Sequence, residues 1–175
     1  MILTGSEIRK QVENGTIVID PFDENQINPN SYNYRLGDHF SQVPELLSLG
    51  HKDQETNLQE IPEDGLQLEP GIIYLANTHE IIGSSRYVTL LIGRSSVARL
   101  GLFLQISADL GNLGPAHKWT LELTCVQPII VYPRMKIGQV SFWVPTGDIE
   151  EYSGVYTQYD VPKHSIYDLL LRNTQ

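Results

Sequence analysis

The chain is poor in the residues that build disulfides and metal clusters: its 175 residues include a single cysteine, Cys125. One thiol cannot close an internal disulfide. Nor can it supply the paired cysteines of a zinc deaminase, whose H-x-E and P-C-x-x-C motifs are both missing. Positive charge is scarce too, with 12 Lys and Arg against 21 Asp and Glu, a formal net charge of −9. Such a balance argues against a nucleic-acid polymer or an anionic membrane as partner, because both demand a net positive surface. No apolar run reaches membrane-spanning length and no secretory h-region opens the chain, so it reads as cytoplasmic. The G-x-S-x-G elbow of Ser-His-Asp hydrolases and the Walker A pattern are also absent. The five histidines, His39, His51, His79, His117 and His164, are scattered, and most of them read as surface residues.

What is present is the pattern of a soluble globular protein, with 41% hydrophobic residues and a length that suits one domain. A helix signal stands at the start. Thr4 or Ser6 can cap, Glu7 lies three residues after Thr4, and Ile8 and Val12 follow at helical spacing before Gly15 stops it. Thr16 to Asp20 reads as a strand ended by Pro21, 25–33 as a loop and 32–37 as a short strand. Residues 44–71 are polar and punctuated by Pro and Gly, which predicts a long excursion with a short strand or two. Strand-like runs then recur at 72–76, 81–82, 87–92, 102–106, 119–126, 129–132 and 138–144, each bounded by turn residues. Many short strands and few helices predict a β-sandwich or barrel, including the jelly roll. Beyond Pro145 three tyrosines among polar residues suggest an extended segment lying on a surface.

Two stretches carry candidate chemistry. In GRSSVARLGL, residues 93–102, Gly93 ends a strand, Ser95 or Ser96 can cap a short helix running to about Leu100, and Gly101 can stop it. Free backbone N–H groups, hydroxyls and arginines there would suit a phosphate or carboxylate, and Ser95 and Arg99, four apart, share one face. A well-built connector with two surface arginines explains the same spacing. In Trp119 to Cys125, alternation puts Leu121, Leu123 and Cys125 on one face and Thr120, Glu122 and Thr124 on the other. Glu122 is an ordinary surface acid if that face is solvated. It becomes a candidate base if the face lines a pocket.

These blocks, in order, resemble the motifs of the dCTP deaminases in the dUTPase-like superfamily: GRSSVARLGL at 93–102, ISA at 106–108, TLEL at 120–123 and RMKIGQVSF at 134–142. IDPF at 19–22 and INPNSYNYRLG at 27–37 are similar to that family's opening, and GVYTQYDVPKHS at 154–165 loosely to its tail. The resemblance implies one domain over 1–175, a mostly β, distorted jelly-roll barrel with one or two short helices, its stretch 150–175 forming a C-terminal tail over the site. It implies a homotrimer with sites between subunits. The reaction it implies is zinc-independent deamination of a cytosine deoxynucleotide, dCTP to dUTP and ammonia, with Mg²⁺ entering on the phosphates. Glu122 would be the general base, with Ser95 and Arg99 orienting it and the water. Arg94 and Ser96 would bind phosphate, the backbone around Ala108 and Thr120, Leu121 and Glu122 would hold base and sugar, and Gln139 and Tyr152 would meet the nucleotide.

The chain departs from the family in places. The aspartate that would bind the 3′-hydroxyl is Asn112, the phosphate-binding lysine of the tail falls at Val155, and the tail glutamine falls at Tyr159. These changes keep two other classes in play: a dUTP pyrophosphohydrolase or bifunctional deaminase/diphosphatase, and a non-catalytic nucleotide-binding homologue.

Overall fold

A computed structural model describes residues 1–43, 57–104, 108–154 and 161–164. Its first element is helix α1 (Gly5–Glu13), which buries Ile8 against the barrel wall. Thr4 is the N-cap residue, but no capping box forms: the Thr4 hydroxyl lies 3.1 Å from Ser6 Oγ, and Glu7 instead accepts from Gln11 Nε2 at 2.6 Å. The following segments are β1 (Ile17–Asp20), a 3₁₀ turn (Glu24–Gln26), β2 (Ile27–Asn28) and β3 (Ser31–Gln42). Thus the predicted loop 25–33 holds a turn of helix and a strand. The short strand at 32–37 proves to be a twelve-residue one.

Strands β4 (Gln59–Glu60) and β5 (Leu66–Leu68) lie in the described part of the polar excursion; residues 44–56 fall outside the described residues. Then come β6 (Tyr74–Thr78), β7 (Ile81–Ser84), β8 (Val88–Gly93), helix α2 (Ser95–Ala98), β9 (Leu102–Leu104), β10 (Thr120–Cys125), β11 (Ile129–Val131) and β12 (Lys136–Trp143). The main sheet has the order β8-β12-β3-β6-β10-β9, with β2 and β4 added on β3. It curls until its two edges meet: a Cβ on Gly93 at the end of β8 would stand 3.4 Å from Leu104 Cδ1 on β9. The other edge of β8 is covered by 109–111, where Leu91 N–H donates to Asp109 O (2.9 Å) and Gly111 N–H to Thr89 O (2.8 Å), so no long unpaired edge is left there. The mostly β, barrel-like fold with two short α-helices is therefore the expected one. Among the described residues, no helix is long and apolar enough to cross a membrane.

Tyr32, Tyr34, Leu36, Leu91, Leu121, Leu123, Val140 and Phe142 fill the barrel. The wall also contains a buried charge. Glu80, at the corner between β6 and β7, is fully buried and accepts from Arg35 N–H (2.8 Å), Arg35 Nε (2.7 Å) and Gln26 Nε2 (3.3 Å). One carboxylate thereby ties β3, the β6–β7 corner and the 3₁₀ turn. Removing one member of a buried ion pair strands the other, at a cost of about 3–5 kcal/mol. Glu80→Ala should lose about that much in urea unfolding; a loss below about 1 kcal/mol, the size of a surface pair, would show that the clamp is not structural.

Candidate active site

Strand β10 has the alternation read from its sequence: Leu121, Leu123 and Cys125 are buried, while Thr120, Glu122 and Thr124 are half-buried on the other face. Glu122 pairs with Leu75 of β6, which pairs in turn with Ser41 of β3. Partial loss of water pushes the Glu122 carboxyl above its ordinary range, offset in part by a hydrogen bond with its own backbone N–H. The phenol of Tyr34, fully buried in the barrel, is pushed up by burial and further by the Glu122 and Glu80 charges. Its hydroxyl donates to Ile92 O at 3.2 Å, just before the Gly-Arg-Ser-Ser turn, and Gly138 leaves room for its ring.

That turn differs locally from its prediction. Arg94, and not a serine, is the N-cap, and its carbonyl accepts from Val97 N–H (3.0 Å) and Ala98 N–H (2.9 Å). The helix ends at Ala98, with Arg99 as C-cap and Gly101 at φ +87°, a conformation glycine adopts without strain. Val97 is buried and anchors the turn, while Ser95, Ser96 and Arg99 are exposed. Arg99 N–H donates to Ser95 O (3.1 Å), so these two residues share a face as expected. Arg94 Nη1 donates to Lys136 O at 3.4 Å. The turn reaches the Glu122 strand through β9, whose Leu104 pairs with Leu123.

Other predicted residues separate into two places. Asn112 and Tyr152 line one cleft of about 600 Å³, together with Val88, Leu110, Leu113, Glu150 and Glu151. Tyr152 N–H donates to Leu113 O at 2.7 Å and fixes this part of the tail on the 110–114 loop. A volume of that size admits a nucleoside-sized group. Gln139 stands elsewhere, on β12 between Asn33 and Ile92, accepting from Ser31 Oγ at 3.1 Å. Leu121 points into the core, which leaves only its backbone for binding. Ala108 is exposed, and Ile106, Ser107, Val155 and Tyr159 fall outside the described residues. Among the described residues, no three His, Cys, Asp or Glu side chains gather in a way that could hold a metal ion.

A sequence profile of the family described as dCTP deaminase-like matches residues 2–144. The chain belongs to that family. It is 45% identical over 153 residues to a dUMP-forming dCTP deaminase of Clostridium beijerinckii, covering 87% of this chain and 88% of the relative. It is 42% identical over 151 residues to a dCTP deaminase of Rhodopirellula baltica, covering 86% and 76%. The crystal structure of 2′-deoxycytidine 5′-triphosphate deaminase from Agrobacterium tumefaciens matches with a TM-score of 0.62 at 21% identity, over 82% of this chain and 48% of that one, a likeness of fold.

In this dCTP deaminase-like chain the described histidines lie deeper than expected, with His39, His79 and His117 half-buried and His51 outside the described residues. His164 is buried, 5% exposed, with Nε2 2.9 Å from the Oγ of fully buried Ser41. Nothing in its spacing from other residues marks it, since its partner lies 123 positions away. Tyr34 was missed for a similar reason: in sequence it is one more apolar-face residue of a strand.

A base must be ionised to accept a proton, and burial raises the pKa of Glu122. With Glu122 as the base, turnover should therefore fall as the pH drops through a midpoint above the ordinary glutamate range. The linked stability has the opposite sign, being fully present below the unfolded pKa and lost as the pH rises through the raised one. A pH profile of kcat/KM on a cytosine nucleotide checks this; a flat profile down to the ordinary glutamate range would contradict it.

Proposed function

We propose that this chain deaminates dCTP, with Glu122 as the general base. The carrying observation is the placement of Glu122: half-buried, pushed toward the proton-accepting range, on the polar face of a strand whose other face is core. Glu122 takes a proton from water as the oxygen attacks C4. Glu122 passes that proton to N3, giving a tetrahedral intermediate with a C4 hydroxyl; it then carries the hydroxyl proton to the amine, so that the C4 carbonyl forms as ammonia leaves. General-base assistance of this kind contributes about a hundred- to ten-thousandfold, and fixed donors around the oxygen supply more.

Ser95 and Arg99 orient the water and the carboxylate, and Arg94 and Ser96 bind phosphate oxygens. The exposure of Ser95, Ser96 and Arg99 on the single chain supports a site completed by neighbouring copies in a homotrimer. Asn112 and Tyr152 hold the sugar side in their shared cleft, Asn112 accepting through its carbonyl oxygen in place of a charged carboxylate. Mg²⁺ enters with the triphosphate. The site is read as working without zinc because a single cysteine cannot supply the paired cysteines of a zinc deaminase.

For the product, the dUMP-forming relatives favour deamination followed by water attack on the α-phosphate, which releases pyrophosphate, over the dUTP expected from the motifs. Incubation with dCTP and Mg²⁺ should yield ammonia, pyrophosphate and dUMP in equal amounts. Ammonia with dUTP and no pyrophosphate would restore the simpler reaction. No turnover of any cytosine nucleotide by folded protein would make the chain a non-catalytic binder and overturn the proposal.

A further inference from the structure

The described C-terminal residues 161–164 return to the barrel, and two directed bonds from them fall on one face of it. Lys163 N–H donates to Thr120 Oγ1 at 3.4 Å, and His164 Nε2 meets Ser41 Oγ at 2.9 Å. Pro162 and His164 are buried there, and Ser41 has no exposed surface at all. Ser41 pairs with Leu75 and Leu75 with Glu122, so the three stand in one row across β3, β6 and β10. Directly paired residues project from the same face of a sheet. Thr120, two residues before Glu122, projects from it as well. Two strand spacings separate Ser41 from Glu122, roughly 10 Å, and one strand repeat separates Thr120 from Glu122, roughly 7 Å.

We infer that Ser41 and His164 form a latch that fastens residues 161–164 across the Glu122-bearing face of their own chain, making His164 a positioning residue for that face. This rests on the reading of Glu122 as the base. The chemistry of the attachment suits a segment that must let nucleotide in and product out. A docked leucine would hold by area alone, whereas an imidazole on a buried hydroxyl holds by one directed bond, which both groups exchange for bonds to water when the segment leaves. One such bond shifts the docked equilibrium by about three- to tenfold. A latch of that strength orders the segment without locking it. The serine comes from β3 and the base from β10, and the common register through Leu75 makes the distance between latch and base a property of the sheet.

The test uses trypsin on the full-length folded protein, read by mass spectrometry at the Lys163–His164 bond, since cleavage of a transiently opened segment follows the population of the open form. His164→Ala changes the segment without touching the barrel, and Ser41→Ala removes the partner. Both should be cut about three- to tenfold faster at Lys163. His164→Gln, whose amide nitrogen can stand near the place of Nε2, should move back toward the wild-type rate. With dCTP as substrate, KM should rise in both alanine variants by a similar factor and recover in the glutamine variant. Equal cleavage rates in the wild type and both alanine variants would overturn the latch, and faster cleavage with unchanged kinetics would overturn the positioning role. Proteolysis needs no substrate, so absence of dCTP turnover in the wild type would undo the assignment of Glu122 while leaving the latch measurable.

Discussion

A β-strand has two faces, and β10 gives one to the core and the other to the proposed base, Glu122. Leu121, Leu123 and Cys125 fix the strand in the barrel, and the period of two then dictates where Thr120, Glu122 and Thr124 project. A slip of one residue would bury the carboxylate in the core and expose two leucines, so the packing of the core holds Glu122 in place. The half-burial that raises its pKa follows from that placement: the neighbouring strand contributes Leu75, and water is partly excluded. The stability given up by desolvating an acid is what makes it a better proton acceptor.

The remaining wall supports this arrangement. The Glu80 carboxylate holds β3 to the β6–β7 corner through Arg35, and β6 is the strand between β3 and β10. Tyr34 spans from β3 to the carbonyl of Ile92, one residue before Gly93 opens the turn that carries Ser95 and Arg99. The two candidate catalytic blocks are thus set by strands of one curled sheet, the turn leading into β9, which pairs with β10.

Much of this was legible in the residues, and the reasons are local. The alternation of β10 and the many short strands follow from side-chain period and turn chemistry, and the structure shows both, whereas the helix expected to run to Leu100 already ends at Ala98, ahead of Gly101. The length of β3 was not legible, because its polar residues Ser31, Asn33 and Ser41 are buried and hydrogen-bonded, Ser31 and Ser41 to partners more than a hundred positions away, and so hide the hydrophobic alternation. The cap of α2 was misread because a serine is a good cap in isolation, while here the backbone leaving β8 places Arg94 at that position. His164 and Glu80 were unreadable for one cause: each is explained by a tertiary partner, Ser41 or Arg35, that no short-range pattern announces.

The central claim is that Glu122 takes the proton from the attacking water. Ammonia release from dCTP by Glu122→Gln, measured beside the wild type with thermal unfolding of both proteins, addresses it most directly. The account predicts a fall of about a hundred- to ten-thousandfold in rate with no loss of thermal stability, since the variant removes a partly desolvated charge. Ammonia release at the wild-type rate from the folded variant would contradict it.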